Sequence, residues 1–596
     1  MIIPSRTSRT LTGLTLIGLL SVTGCTASEP PAPDAAETDE QSGSAVILSE
    51  ADASQRKVFA GSAAQASLAM SRALYESSPV AVVLSEGTGV DAVPPEPGFG
   101  PAASAAVGLE VPLLVIGADG AGVSDVTAEL DRLGVETVIG YGDPAADWPA
   151  LTQSRELLAG PIAIEGFSSV MGLNAVPVEV ETSDLVSAVT ALESGELELL
   201  ETAPPESPQP ETTQPGPSAE PVPAVSAPAG STPAAADLVE QATTDELPEF
   251  GSPAQDAAAL VLATAASDPA SLATARAAGA DVRILADGDP RATSASVEAV
   301  AEHPDSAVYA IGEDFGDEAD FAAHIEVAAS GVELPGGGQT VFPGRRMVAL
   351  YGHPDGPYLG ALGEQDSEAA MVRVKELAAQ YQPFSDEPVV PAIDLIATVA
   401  SADAGADGDY SSETAIEDLL PWVDAAEDAG VYVVLDLQSG RTDFLSQAKR
   451  YEELLKRPTV GLALDPEWRL APGQLPLQQI GTVDAEEINT VSAWLADLTR
   501  DNALPQKVMM VHQFRVDMIS GRENLDTSRS ELAFTLHADG HGTPEEKLNT
   551  WSVLQDYMPE GIWPSWKNFY DEDKPTLTPE QTYTVVEPKP WLVTYQ

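Results

Sequence analysis

The chain has 596 residues, of which 93 are acidic and 29 are basic, so its formal net charge at pH 7 is −64. This balance excludes a nucleic-acid-binding protein, because contact with phosphates requires clustered Lys and Arg side chains. At roughly 100–200 residues per domain, the length predicts about three to five structural units and excludes a single small module. The one cysteine excludes an intramolecular disulfide and a four-cysteine zinc site.

The first 24 residues have the pattern of a secretory signal peptide. Two arginines precede the apolar run LTGLTLIGLLSV, which is too short for a stable membrane span and ends next to Thr23, Gly24 and Cys25. This ending resembles the lipobox of bacterial lipoproteins, and the resemblance implies cleavage before Cys25 and diacylation of its thiol. We therefore expect an extracytoplasmic protein held at the outer face of the cell membrane by lipidated Cys25. The alternative is an ordinary signal peptide with a chance cysteine.

Two segments have compositions that do not support a folded core. Residues 25–45 are polar, and we expect them to form a disordered tether between the membrane anchor and the first domain. Residues 202–250 contain many prolines among Glu, Gln, Ser and Thr, and this composition predicts a disordered linker.

The part of the chain before residue 340 contains an internal repeat, and each copy has the order strand, helix, strand, helix, strand. The first copy includes the runs PVAVVLSEG, VPLLVIGADG and VETVIGYGD, and the second includes DAAALVLATAAS, ADVRILADGDP and SAVYAIGEDF. Apolar runs that end in Gly or Asp and alternate with Ala-rich helices are typical of buried parallel strands. We expect two small parallel-sheet α/β sandwich modules, at residues 46–201 and 251–335.

These copies resemble the cell-wall-binding repeat type 2 modules of Gram-positive surface proteins. The resemblance rests on the apolar strands, on the Ala-rich helices, and on the opening segment QRKVFAGSAAQASLAMSRAL (Gln55–Leu74). It implies that the protein attaches to a cell-wall glycan or polymer. The aromatic and Arg-rich form of the opening and a third consecutive copy are missing from this sequence.

From residue 341 onward the composition changes, and candidate strands alternate with long amphipathic helices. The six clearest strands lie in RMVALYGHP, PVVPAIDLIATVA, VYVVLDLQSG, TVGLALDPEW, KVMMVHQF and LAFTLHADG. This alternation over residues 341–596 has the size of a (β/α) barrel, about 250 residues. Because only six or seven strands are evident, we expect an irregular TIM-like (β/α) barrel, with an open doubly wound sheet as the alternative.

Polar side chains follow these strands at their carboxyl ends, where barrels carry their chemistry. The candidates are His353, Asp394, Asp436, Gln438, Asp465, Glu467, Trp468, His512, Gln513, His537, Asp539 and His541. For any single residue, a strand-end turn or a helix cap is an equal interpretation. As a group they predict a polar cleft.

The segment containing Asp465, Glu467 and Trp468 is the most informative of these. Residues two apart in an extended strand face the same way, so both carboxylates can enter the cleft beside an aromatic ring that could stack on a sugar. The arrangement resembles the acidic strand-end motifs of glycoside hydrolase barrels. Our hypothesis makes Glu467 the general acid and Asp436 or Asp465 the nucleophile or base. It assigns Asp394, Gln438, Trp468, His353 and Gln513 to substrate binding.

Two other interpretations stay open. His512, His537, Asp539 and His541 offer the mixed nitrogen and oxygen ligands of a divalent metal site, which would indicate a metal-dependent hydrolase. A barrel without catalysis would instead be a cell-wall-binding or scaffold domain. The sequence has no G-x-S-x-G motif, and its one cysteine is the predicted lipid anchor, which argues against a lipase or peptidase. We expect no cofactor other than that metal ion.

Overall fold

A computed structural model describes residues 44–85, 98–117, 122–142, 148–202 and 242–596. The predicted signal peptide, Cys25 and nearly all of the predicted tether lie outside the described residues, as do residues 203–241 of the predicted linker. Among the helices that are described, none is long and apolar enough to span a membrane.

The N-terminal part of the described chain contains twelve strands. They are β1 (Ile47–Leu48), β2 (Arg56–Phe59), β3 (Tyr75–Ser77), β4 (Val80–Ser85), β5 (Leu113–Ile116), β6 (Thr137–Gly142), β7 (Glu156–Ala159), β8 (Ala175–Val180), β9 (Leu197–Thr202), β10 (Ala259–Ala263), β11 (Asp281–Ile284) and β12 (Ala307–Ile311). The α-helices are α1 (Ala63–Leu74), α2 (Phe99–Leu109), α3 (Val123–Leu133), α4 (Trp148–Leu151), α5 (Ile164–Val170), α6 (Leu185–Ala191), α7 (Pro269–Ala277), α8 (Ser294–Ala301) and α9 (Glu318–Ala329).

The two copies of the repeat form two parallel sheets with matching strand orders. The first sheet has the order β5-β4-β6-β7 and the second has the order β11-β10-β12-β2. The parallel-sheet modules predicted from the sequence are therefore confirmed. The fourth strand of the second sheet is β2, which precedes the first copy in the chain. The second sheet thus takes one strand from beyond the predicted boundaries of its module.

The two modules also share one hydrophobic core, because α1, α2 and α7 pack between their sheets. Side-chain hydroxyls on these helices bind the outer edge of β5. Thr274 of α7 binds the backbone of Leu113, and Ser67 of α1 accepts a hydrogen bond from the N–H of Val115 at 3.2 Å. These bonds satisfy backbone groups that an edge strand would otherwise leave free.

The last residues of the predicted linker contact the first module. The N–H of Thr243 donates to the carbonyl of Leu157 in β7 at 2.9 Å, and the Thr243 hydroxyl accepts from the N–H of Leu157 at 2.8 Å. Leu247 and Phe250 pack against the shared core. Residues 242–250 therefore belong structurally to the modules.

The C-terminal part is a barrel of eight parallel strands. These are β13 (Arg346–Gly352), β14 (Val389–Ala400), β16 (Tyr432–Leu437), β17 (Val460–Leu464), β19 (Lys507–Gln513), β21 (Leu532–Ala538), β22 (Trp563–Asn568) and β23 (Leu592–Tyr595). Three short strands lie outside it: β15 (Ser411–Glu413), β18 (Val483–Asp484) and β20 (Ile519–Ser520). The α-helices are α10 (Ser367–Tyr381), α11 (Ile416–Ala429), α12 (Phe444–Ala448), α13 (Glu452–Leu455), α14 (Ala485–Asp501), α15 (Pro544–Gln555) and α16 (Pro579–Val585).

The barrel closes because β13 pairs with both β14 and β23. The TIM-like barrel predicted from the sequence is confirmed, but the expectation of six or seven strands was too low. The two strands that the sequence analysis missed are β22 and β23. Their sequences, WPSWKN and LVTY, are short or interrupted by polar residues and proline, so neither shows an apolar run.

Alternate residues of each strand face the barrel interior, as the period of two requires. The lower layers are apolar and include Met347, Ala392 and Met510, and the segment around Val341 and Phe342 packs against them. Towards the carboxyl ends of the strands the interior becomes polar. This change in polarity places the candidate site at the mouth of the barrel.

Candidate functional site

Seven of the eight strands contribute a polar side chain at or next to their carboxyl ends, and the longer β14 contributes Asp394 beside Tyr351 in the register of the sheet. These residues are Tyr351, Asp394, Asp436, Asp465, His512, His537, Lys567 and Thr594. They are nearly all fully buried, so their charges and hydrogen bonds must be satisfied mainly by one another or by a ligand.

The central contact of the site is a chain of charged groups formed by Lys567, Asp539 and His512. The Lys567 ammonium lies 3.1 Å from Oδ1 of Asp539, and Nδ1 of His512 lies 2.8 Å from Oδ2 of the same carboxylate. The ammonium also lies 3.6 Å from the centre of the Tyr351 ring, a cation–π contact. Asp539 is therefore held between two cationic or donor groups.

A second group lies on the floor of the site. The Tyr351 hydroxyl donates to Oδ2 of Asp436 at 2.9 Å. Nε2 of His512 lies 4.0 Å from Oδ2 of Asp394 and 4.0 Å from Oδ1 of Asp436. The floor thus brings two carboxylates and an imidazole together on three different strands.

Above the floor lies a cavity of about 800 Å³ that opens at the mouth of the barrel. Asp465, Glu467, Asp539 and Lys567 line it, together with Trp468 and further aromatic rings. Asp465 begins a short 3-10 turn over Pro466–Trp468, and its carboxylate accepts the N–H of Glu467 at 3.3 Å. The 3-10 turn brings Asp465, Glu467 and Trp468 to the wall of the same cavity.

The carboxyl groups that line the cavity have different pKa values. Burial, with the charge of Asp539, raises the pKa of Glu467 to about 7, and burial with the charge of Glu467 raises the pKa of Asp465 well above its usual range. Burial opposes ionisation of Asp539 too, but the positive charges of Lys567 and His512 bring its pKa below the usual range. The cavity therefore holds both protonated and ionised carboxyl groups near neutral pH.

The floor residues are perturbed as well. Burial, and then the charge of Asp436, raises the pKa of Asp394 to about 7, and burial also raises the pKa of Asp436. Burial alone would lower the pKa of His512, but the carboxylates of Asp436, Asp539 and Asp465 raise it to about 10. The carboxylates around the floor therefore stabilise a positive charge in this part of the site.

The structure brings most of the residues predicted from the sequence to this mouth. The cavity is lined by Gln438, Asp465, Glu467, Trp468, Asp539 and His541, and Asp394, Asp436 and His512 form its floor. The remaining substrate-binding candidates are engaged elsewhere. His353 binds the hydroxyl of Thr414 at 2.9 Å, and Gln513 binds Arg522 and the carbonyl of Val516.

The four residues of the metal set proposed from the sequence are not gathered around one point. Both ring nitrogens of His537 are bound by hydroxyls, those of Ser565 and Thr594, each at 2.9 Å. His541 is exposed at the rim, where its ring packs near Phe569. Of that set, only His512 and Asp539 bind each other directly.

Sequence reasoning missed Lys567 and Tyr351. Lys567 lies on β22, which the sequence analysis did not recognise as a strand. Lysine is also rarely buried, so its residue type did not indicate an interior position. Tyr351 lies in the run RMVALYGHP, where its ring reads as one more apolar residue. In both cases the only available signal was the alternation of inward-facing positions.

No protein-family model matches the chain, and no curated protein matches it either. Among solved structures, an HpcH/HpaI aldolase from Desulfitobacterium hafniense DCB-2 matches at 11% identity, 42% of this chain, 86% of that chain and a TM-score of 0.22. A Bacteroides ovatus GH5 xyloglucanase, in complex with a XXXG heptasaccharide, matches at 14% identity, 34% of this chain, 58% of that chain and a TM-score of 0.20. Both likenesses are remote, and neither assigns an activity to this chain.

Proposed function

We propose that the protein is a membrane-anchored lipoprotein of the cell envelope whose barrel hydrolyses a neutral glycan. The observation that carries the proposal is the presence, in one open cavity, of a carboxyl group whose pKa is raised by burial to about 7 and a carboxylate that is ion-paired. Glu467 is the first and Asp539, bound to Lys567, is the second. Most glycoside hydrolases use such a pair of carboxyl groups.

In this mechanism Glu467 donates its proton to the oxygen of the leaving sugar. A general acid works best when its pKa lies near the working pH, and that of Glu467 is about 7. Asp539 is the basic or nucleophilic partner. Asp436, assigned to that role from the sequence, lies on the floor with one oxygen bound to Tyr351, and Asp465 has a strongly raised pKa.

The lining of the cavity supports a neutral, polyhydroxylated substrate. Four carboxyl groups, those of Asp465, Glu467, Asp539 and Glu572, line it against one ammonium, that of Lys567. Carboxylates accept hydrogen bonds from sugar hydroxyls and repel anions. Trp468 lines the same cavity, and an indole ring offers an apolar face on which a sugar can stack.

The rest of the chain supports a location at the envelope. The predicted lipid anchor at Cys25 would hold the barrel at the membrane surface, and the modules resemble cell-wall-binding repeats. A hydrolase placed there would meet wall glycans as its substrate. If the barrel had no hydrolytic activity, the anchor, the modules and the barrel together would form an envelope scaffold.

The test is release of reducing ends from wall-derived and neutral polysaccharides by the purified full-length protein. Glu467→Gln should lower turnover by about 10²–10⁴-fold, because it cannot donate the proton, and should leave substrate binding intact. Glu545→Gln, at an exposed position in α15, is the matched control and should behave like the wild type. Binding without hydrolysis by the wild-type protein would support the scaffold function instead.

A further inference from the structure

Three side chains on the floor of the barrel mouth carry polar atoms without hydrogen-bond partners in the described part of the chain. The atoms are both carboxylate oxygens of Asp394, Oδ1 of Asp436 and Nε2 of His512, and all three side chains are 0% exposed. Buried polar atoms in folded proteins nearly always have a partner. These atoms are therefore available to bind one group together.

The unpartnered atoms converge on one point. One ligand atom from each of the three residues lies within 4.8 Å of the others, and Nε2 of His512 is 4.0 Å from an oxygen of each carboxylate. Two ligands that are each about 2.1 Å from the same ion lie at most about 4.2 Å apart. Both separations from Nε2 of His512 lie just below this limit, so an ion bound to that nitrogen can also reach an oxygen of either carboxylate.

The surrounding residues hold two of the three ligands, Asp436 and His512, in the orientation that a metal site requires. The Tyr351 hydroxyl binds Oδ2 of Asp436 and leaves Oδ1 free. Asp539 binds Nδ1 of His512 and leaves Nε2 free, and Lys567 holds Asp539 in turn. A carboxylate behind the second nitrogen of an imidazole is the usual support of a metal-binding histidine.

We infer that Asp394, Asp436 and His512 bind one divalent transition-metal ion. Two carboxylate oxygens and one imidazole nitrogen suit Mn²⁺ or Zn²⁺. The set differs from the one proposed from the sequence, with which it shares His512 alone. The inference concerns binding and does not rest on the proposed hydrolysis.

A proton on Nε2 of His512 is the simpler way to place positive charge here, and it satisfies the geometry less well. The resulting N–H would face carboxylate oxygens 4.0 Å away, beyond hydrogen-bond distance. The two oxygens of Asp394 would also keep no partner among the described residues. An ion between the three side chains contacts all of them.

The experiment is a titration of the chelator-treated full-length protein with MnCl₂ and with ZnCl₂, followed by calorimetry and by thermal unfolding. We expect one ion per chain and a rise in the unfolding temperature. Asp394→Asn, which keeps the shape of the side chain, should weaken binding at least tenfold. Asp407→Asn is the matched control, because Asp407 is exposed and belongs to a separate acidic cluster with the buried Asp409 and the half-buried Glu413, and it should bind like the wild type.

Electron spin-echo measurements on the Mn²⁺-loaded wild-type protein keep the test decisive if the Asn variant does not fold. They should show coupling to one imidazole nitrogen, which His512 supplies. The absence of stoichiometric binding, binding without nitrogen coupling, or undiminished binding by a folded Asp394→Asn protein would overturn the inference. Hydrolysis that persists after complete removal of metal would leave the proposed function standing, and metal binding without hydrolysis would leave the inference standing.

Discussion

Lys567 and Asp539 form a buried ion pair at the mouth of the barrel, with 3.1 Å between the ammonium and the carboxylate. Lys567 lies on β22 and Asp539 directly follows the neighbouring strand β21, and both side chains are nearly fully buried. Lys567 supplies the one ammonium among the residues that line the cavity. Its positive charge partly balances the negative charge of the acidic residues there.

Lys567→Met should destabilise the protein by about 3 kcal/mol, because it leaves the buried Asp539 carboxylate without its cation. Methionine has nearly the length of lysine, so packing should change little. Denaturant unfolding of the full-length protein measures the loss. Lys456→Met serves as the control, since Lys456 pairs with Glu452 at the surface and should change stability by less than about 1 kcal/mol.

Activity should depend on the protonation of Glu467. Its pKa is raised to about 7 by burial and by the charges of Asp539 and Asp436, and is held from rising further by Lys567 and His512. A general acid is active while it is protonated, so kcat should fall as the pH rises through about 7. A pH–rate profile measures this limb. Turnover that stays constant from pH 6 to pH 9 would contradict the assigned role.

Thr274→Val should loosen the contact between the two modules. The Thr274 hydroxyl accepts from the N–H of Leu113 at 3.1 Å and donates to its carbonyl at 2.9 Å, and valine has the same shape without these bonds. Two unsatisfied backbone groups should cost about 2 kcal/mol in the free energy of unfolding. Thr490→Val, on the exposed face of α14, should cost far less.

Arg345→Met should destabilise the bottom of the barrel. The buried guanidinium donates hydrogen bonds to the carbonyls of Pro335, Gly337 and Thr340. These bonds hold the segment that packs beneath the strands. Without the guanidinium three carbonyls lose their donor, and we expect a loss of about 3 kcal/mol. Arg515→Met removes an exposed guanidinium that pairs with Asp517, and its unfolding curve should overlay that of the wild type.

Cys25→Ser should release the protein from membranes or leave its signal peptide uncleaved, because serine cannot receive the thioether-linked lipid that the lipobox resemblance implies. Fractionation of cells and mass spectrometry of the N-terminus measure both outcomes. Wild-type protein found only in the medium, without acyl chains, would contradict the predicted anchor.

The parts of the fold that the sequence predicted are those with local signals. The helix Ala485–Asp501 has apolar residues at helical spacing over its whole length, and β16 and β17 are continuous apolar runs. The site was predicted where a polar residue lies within such a run or directly after it, as Asp465 does after β17. Lys567 was missed because the two residues before it on β22 are not part of an apolar run, and its burial depends on seven other strands.

The placement of β2 could not be predicted for a related reason. Its pairing with β12 joins Arg56–Phe59 to residues about 250 positions later, and nothing in a four-residue strand specifies such a distant partner. Local patterns can identify a strand, but only the whole fold decides which sheet receives it.

Because β2 pairs with β12, the two copies of the repeat are held together by this strand and are not independent domains in series. A fragment beginning at residue 251 would lack β2, and the bare edge of β12 would be open to pairing with other chains. Conversely, a single protease cut between residues 202 and 242 should leave both pieces bound to each other until the protein is denatured. Segments that are far apart in the sequence are therefore bound directly to each other in the folded protein.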